Sequence, residues 1–274
     1  MKQAKLAALI VGCGYVGCRL RDLLISKGWL VHSIRRSKLK EPNSRQVDVG
    51  QPFSIASTYN VVFYMVSADS YLPEAYNTAY CQGVMNTIAA LQASKQKPRL
   101  IYVSSTSLFA EKTGDWVFED SLVETNSFSQ KAVAQGEQLA RTSGLEHVII
   151  RFSGIYGPNR FRLVDKVRQG NAKLKQPYLI SNRIHLEDCA QVLFHVARLE
   201  NPQKLYIASD SEPTPYNEVL QWIAKQLGKK LLSIDKAESE ALRLTNKRCS
   251  NRLLRESGYL FRYPNFQKGY AECF

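Results

Sequence analysis

Leu6-Ala7-Ala8-Leu9-Ile10-Val11-Gly12-Cys13-Gly14-Tyr15-Val16-Gly17 opens the chain, and Leu30-Val31-His32-Ser33-Ile34-Arg35-Arg36 follows one helix length later. An apolar strand runs into G-x-G-x-x-G, a helical pattern follows, and a second strand ends in two arginines. Gly12 suits a tight turn off the strand. Gly14 lets backbone approach a pyrophosphate, and Gly17 lets the helix pack close to the strand. The helix that starts near Tyr15 turns free N–H groups and its positive dipole end toward phosphate. Its apolar positions, Val16, Leu20, Leu23 and Leu24, recur at a 3.6-residue period. A glycine run alone occurs in ordinary loops, but here the strand before it and the helix after it supply the context of a dinucleotide-binding βαβ unit. The residues expected at the cofactor are therefore Gly12, Cys13, Gly14, Tyr15, Val16 and Gly17.

The end of the second strand bears on which dinucleotide is held. NAD sites commonly carry an acid there for the ribose 2′-OH. This chain has Arg35 and Arg36, and guanidinium forks suit the 2′-phosphate of NADP. NADP is the expected cofactor and NAD the alternative; the bland reading is that the arginines are simply solvated.

With 274 residues, 45% hydrophobic and 22% charged, the composition is that of a globular protein with a sizeable core. No apolar run approaches the roughly 20 residues of a membrane span, so no membrane partner is expected. The apolar opening enters the glycine motif and reads as a strand and not a signal peptide. Six cysteines are scattered, with no C-x-x-C, and the four histidines are dispersed. That argues against a disulfide framework or a metal site and for the cytoplasm. The net charge of +13 is spread along the chain. It reads as a cationic surface first, as a preference for an anionic substrate second, and it carries no specific nucleic-acid motif.

Strand and helix signals alternate, which predicts an α/β, Rossmann-type doubly wound parallel sheet. Strands are expected at 46–48, 61–66, 100–103, 147–150, 184–185 and 205–208, and helices at 83–94, 131–141 and 186–199. Thr214 reads as an N-cap with Pro215 at the first helical position, and Gly228 ends that helix. The expected division is a dinucleotide-binding domain, 1–155, and a smaller α/β substrate lobe, 156–274, partly interleaved with the sheet. Ligands of such sheets sit beyond the carboxyl ends of strands. Asp48, Val66, Ser67, Ser104, Phe152 and Tyr156 lie at such ends and join the expected cofactor residues. Ser107, Arg160 and His185 are the expected substrate contacts, with the crevice between the lobes as substrate site.

Four stretches together resemble the NAD-dependent epimerase/dehydratase group of extended, atypical short-chain dehydrogenase/reductases. They are the glycine motif, Val103-Ser104-Ser105-Thr106-Ser107-Leu108-Phe109, Arg151-Phe152-Ser153-Gly154-Ile155-Tyr156-Gly157-Pro158, and Arg183-Ile184-His185-Leu186-Glu187-Asp188. The tail, with Asn246-Lys247-Arg248-Cys249-Ser250-Asn251 and Arg262-Tyr263-Pro264, is similar to the YeeZ-like branch of the group. The resemblance implies a nicotinamide cofactor and a small-molecule substrate, anionic or a nucleotide sugar, and is compatible with a homodimer. It also implies that Ser105, with Thr106 beside it, orients a substrate oxygen.

The family pairs that Ser with a Tyr and a Lys four residues on, at the start of the next helix, where the phenol exchanges a proton with substrate. Aligned on Glu137-Gln138-Leu139, Ser129 stands at the Tyr position and Val133 at the Lys position. No Tyr lies between Tyr102 and Tyr156. Ser105, Thr106 and Ser129 are thus the catalytic candidates. Tyr156, Lys131, His185 and Glu119 are alternative acids, and a cofactor-binding protein without catalysis is the competing reading.

Overall fold

The five residues of the first strand are all apolar and all buried, which is the pattern of a central strand covered on both faces. In this computed structural model, which describes residues 5–37, 41–175, 178–232 and 246–274, the strands in chain order are β1 (Ala7–Val11), β2 (Leu30–Arg35), β3 (Ser44–Gln46), β4 (Val61–Tyr64), β5 (Arg99–Ser105), β6 (Trp116–Val117), β7 (His147–Phe152), β8 (Gly154–Tyr156), β9 (Ile180–Ser181), β10 (Arg183–His185), β11 (Leu205–Ala208), β12 (Thr214–Pro215) and β13 (Arg248–Cys249). The helices are α1 (Tyr15–Ser26), α2 (Pro73–Asn77), α3 (Gly83–Ala93), α4 (Phe128–Thr142), α5 (Arg162–Arg168), α6 (Leu186–Arg198), α7 (Tyr216–Gln226), α8 (Arg252–Glu256) and α9 (Phe266–Tyr270).

Seven strands form one sheet in the order β3-β2-β1-β4-β5-β7-β11. β1 pairs in parallel with both β2 and β4, so the chain reverses its direction of winding beside β1. That reversal is the switch point at which a doubly wound sheet opens a crevice. The Rossmann-type expectation is met.

Contacts divide the chain into two units: Met1–Leu108 with Glu124–Arg151 and Ala190–Tyr206, and Phe109–Val123 with Phe152–Cys189 and Ile207–Phe274.

In the first unit, α2 and α3 are joined by a π-helical turn, Thr78–Gln82, where the sequence suggests only a helix from 83. The Tyr64 hydroxyl donates to the Ala79 carbonyl of this turn at 2.5 Å. α4 begins earlier than its apolar pattern. A capping box sets its start, with Gln130 N–H donating to Ser127 Oγ and Ser127 N–H donating to Gln130 Oε1. Behind it, Glu137 is buried and bound by two Arg151 nitrogens, Nε and Nη2, each at 2.8 Å, while the Ser104 hydroxyl donates to Glu137 Oε1 at 2.7 Å. Arg151 of the R-F-S-G-I-Y-G-P segment therefore serves the core.

The second unit has three small ladders, β8 with β10, β9 with β12, and β6 with β13. Its apolar centre joins Tyr156, Val164, Val219, Leu220, Ile223 and Phe266. The N-cap reading of Thr214 is corrected. Thr214 and Pro215 form a strand paired with Ser181 and Ile180, and Pro215 stands at the N-cap position of α7, which has no side-chain cap. The Thr214 hydroxyl donates to the Glu212 carbonyl and so does not cap a helix. Gly228 does follow the helix in the left-handed region, at φ +61. Asp188 is in the first turn of α6, and its carboxylate is fully buried and accepts from Tyr259 Oη, Arg262 N and Tyr263 N. It anchors the tail in addition to complementing the helix dipole. The N-K-R-C-S-N stretch is likewise structural: Asn246 Oδ1 accepts from Ile180 N, and Asn251 Nδ2 donates to Ser209 O.

Candidate functional site

The glycine loop is shaped by its neighbours in the sheet. Gly12 and Cys13 donate their N–H groups to the Ile34 carbonyl of β2. Gly12 sits at φ +94, and a Cβ there would lie 2.7 Å from Val66 N, so only glycine fits the turn. A Cβ on Gly17 would lie 2.7 Å from the Gly12 carbonyl, the close helix–strand contact that the motif requires. Gly14 faces open space and precedes α1 without a capping side chain, which leaves the helix N-terminus available to an anion.

Beside this loop is a groove of about 370 Å³, lined by Gly12, Gly14, Arg35, Arg36, Asp48, Val66 and Ser67 among others. That volume lies in the range of small-molecule sites. Seven of the expected cofactor residues, drawn from four separate segments of the first unit, therefore share one groove. Tyr15, Val16 and Gly17 form the first turn of α1. Cys13 is buried, with its Sγ 3.6 Å from Cys18 Sγ, and burial pushes its thiol up to about 12. Its contribution to a ligand would come from backbone. Asp48 Oδ1 accepts from Gly50 N at 2.9 Å and fixes the turn after β3.

Asp69 and Glu74, which no motif of the sequence marks, also line the groove. They lie in the irregular stretch after β4 and at the start of α2, where no spacing rule marks a ligand contact. Arg36 Nη1 is ion-paired with Asp69 Oδ2.

At the end of β5 the residues divide. The Ser104 hydroxyl is committed to Glu137. Ser105 is half-buried, and its Oγ accepts from Ser107 N at 3.1 Å. Thr106 is buried in the following turn, and Ser107 is exposed. Gln130 Nε2 donates to the Ser107 carbonyl, which ties the start of α4 to this turn. Ser129 Oγ lies 3.0 Å from Ser127 Oγ and 3.3 Å from the Tyr71 hydroxyl. Tyr71 packs on Phe128 and Tyr76 at ring separations of 4.8 and 5.6 Å. A phenol from the segment after β4 thus reaches the residue aligned with the family's tyrosine. Sequence spacing could not show this, because the two residues are 58 positions apart.

Phe152, Tyr156, Arg160 and His185 belong to the second unit and do not line the groove. Phe152 is buried. The Tyr156 hydroxyl is buried without a hydrogen-bond partner among the described residues, and burial, then Asp210, pushes its pKa up. Its ring stands 5.2 Å from that of His185. His185 is fully buried; its Nδ1 accepts from Glu187 N and its Nε2 is 3.6 Å from Glu272. Burial lowers its pKa, so the neutral ring is favoured. Arg160 is half-buried in the turn before α5. Arg168, at the far end of α5, donates to the Cys273 carbonyl. Among the alternative acids, Glu119 accepts from Ile207 N and is raised by burial, and Lys131 is exposed on α4. Among the described residues no cluster of His, Cys, Asp or Glu could hold a metal ion, and no helix is long and apolar enough to cross a membrane.

A family model described as the RmlD substrate binding domain matches residues 7–271. No curated protein matches the chain. Among solved structures, a protein from Methylobacillus flagellatus provisionally described as an NAD-dependent epimerase/dehydratase is 28% identical, with TM-score 0.79, covering 98% of this chain and 97% of its own. The human epimerase family protein SDR39U1, solved with NADPH, is 17% identical with TM-score 0.81, covering 97% and 98%. MoeE5, in complex with UDP-glucuronic acid and NAD, is 18% identical with TM-score 0.78, covering 97% and 96%. The last two likenesses concern the fold.

Proposed function

This chain belongs to the family of the RmlD substrate binding domain, and we propose that it is an NADP-preferring oxidoreductase or epimerase/dehydratase-like enzyme acting on a small anionic substrate such as a nucleotide sugar. The observation that carries this reading is the groove that unites the glycine loop with Arg35 and Arg36. Its features fit a dinucleotide: a turn that only glycine fits, an uncapped helix start for the pyrophosphate, and two guanidiniums for a 2′-phosphate. The solved relatives bind NADPH in one case and NAD with a nucleotide sugar in another, which supports the ligand class. A bound nicotinamide would supply hydride transfer.

The chain's own residues would handle the substrate oxygen. Ser105 and Thr106 orient it, as the family resemblance implies. Ser129 is too weak an acid to replace a phenol alone. The Tyr71 phenol, in reach of Ser129 Oγ, gives that hydroxyl pair a group able to hold and pass a proton.

Titration with NADPH and NADH tests the cofactor. We expect NADPH to bind more tightly and the preference to fall about tenfold or more in Arg35→Ala/Arg36→Ala; an unchanged preference refutes the phosphate role. The chemistry is tested by turnover on a nucleotide-sugar panel: Ser105→Ala and Tyr71→Phe should each lower kcat by about a hundredfold or more. The second reading, a non-catalytic NADP-binding sensor or scaffold, is favoured by Ser129 at the tyrosine position. It gains if NADPH binds and alters oligomeric state or partner binding while no substrate turns over.

A further inference from the structure

Arg36 and Asp69 stand on opposite banks of the groove and are joined across it. Arg36 follows β2 and Asp69 follows β4, and the sheet order sets β1 between those two strands. Strands two apart in a sheet are roughly 10 Å apart, so the ion pair passes over the end of β1, beside the glycine loop. Neither partner is buried: the side chains are 66% and 60% exposed. The hydrogen bond that Arg36 donates to the Asp69 carboxylate raises the guanidinium pKa. Arg35 lines the same groove and, among the described residues, forms no ion pair, so the two arginines are not equivalent.

We propose that the Arg36–Asp69 pair is a latch over the dinucleotide groove, a cost to every dinucleotide that a 2′-phosphate offsets at Arg36 and a free 2′-OH does not. The proposal rests on the reading of the groove as a dinucleotide site. Any ligand that fills the groove between the two banks must part the pair. A 2′-phosphate gives Arg36 a new partner with up to two negative charges and two oxygens that can accept from its planar fork. A dinucleotide with a free 2′-OH parts the pair and returns no charge to Arg36. Asp69 therefore weakens binding of both ligands alike, and the discrimination between them comes from what Arg36 gives the phosphate.

This makes an unusual prediction for Arg36. If the arginine only binds phosphate, its removal leaves NADH affinity unchanged. If it also closes the groove, its removal improves NADH binding. Calorimetric titration with NADPH and with NADH at low ionic strength, on the wild type, Asp69→Asn and Arg36→Ala, separates the two. Asp69→Asn should bind both dinucleotides about two- to fivefold more tightly, the scale of an exposed ion pair. Arg36→Ala should gain a similar factor for NADH while losing affinity for NADPH. Both positions are exposed, and unchanged melting curves would show that the variants are folded; Asp69→Ser serves as a second variant. NADH affinity that is unchanged or weaker in either variant overturns the latch, even where NADPH is still preferred by the wild type. A wild type that prefers NADH overturns it as well. Binding of neither dinucleotide by any of the proteins instead removes the proposed function, and the latch with it.

Discussion

Glu137 enters the sequence only as part of the Glu137-Gln138-Leu139 stretch that aligns its helix. In the fold it is the buried counter-ion of Arg151 and the acceptor of the Ser104 hydroxyl. Removing one partner of such a pair leaves an uncompensated buried charge. Glu137→Ala should therefore destabilise the protein by about 3–5 kcal/mol, whereas Ser104→Ala, which removes one hydrogen bond, should cost about 1 kcal/mol. Urea unfolding of both variants checks the ordering, and equal losses would contradict it. The glycines were the legible residues. Gly12 and Gly17 occupy positions where a Cβ would strike backbone, and that local geometry recurs wherever the motif follows a strand and opens a helix. Asp69 was not legible, since its meaning depends on an arginine 33 positions away.

Elements were legible where one face is strongly periodic. α1, β1, β4 and β11 follow from apolar runs and spacing. α4 is longer than its pattern because a capping box starts it before the first buried position. The π turn before α3 is met by Tyr64, which reaches the Ala79 carbonyl from β4, a contact that no spacing along the chain marks. α4 also packs with little clearance. A Cβ on Gly136 would lie 2.1 Å from Tyr102 Oη and 2.6 Å from the Tyr80 carbonyl. Gly136→Ala should destabilise by about 1–3 kcal/mol, although alanine favours helix, because the contact is with backbone and a fully buried ring. A melting temperature at or above that of the wild type would show that the neighbours yield more easily than their burial suggests. On the second unit, the strand at Thr214 and Pro215 displaced a plausible helix start because Ser181 and Ile180 lay ready to pair with it.

For the whole molecule, the net charge of +13 governs the general cationic field, while a few buried groups govern how stability varies with pH. Asp210 is buried near Arg183, and burial raises its carboxyl from 3.8 to about 8. A carboxyl whose folded pKa is raised stabilises fully below its unfolded value, and that stability is lost as pH climbs toward the folded one. Asp210→Asn, which keeps the position neutral, should therefore match the wild type near pH 4 and melt several degrees higher near pH 8; a constant difference across that window would contradict the shift. The sequence by itself determined the α/β class, the parallel sheet, the dinucleotide-type loop and the two arginines, because each follows from local spacing of glycine, apolar and charged residues. Only the tertiary structure decided the rest: that Glu74 lines the groove beside the glycine loop, that Asp69 meets Arg36 across it, and that Tyr71 reaches Ser129. Those contacts arise from sheet order and loop paths, which bring together residues with no periodic relation along the chain.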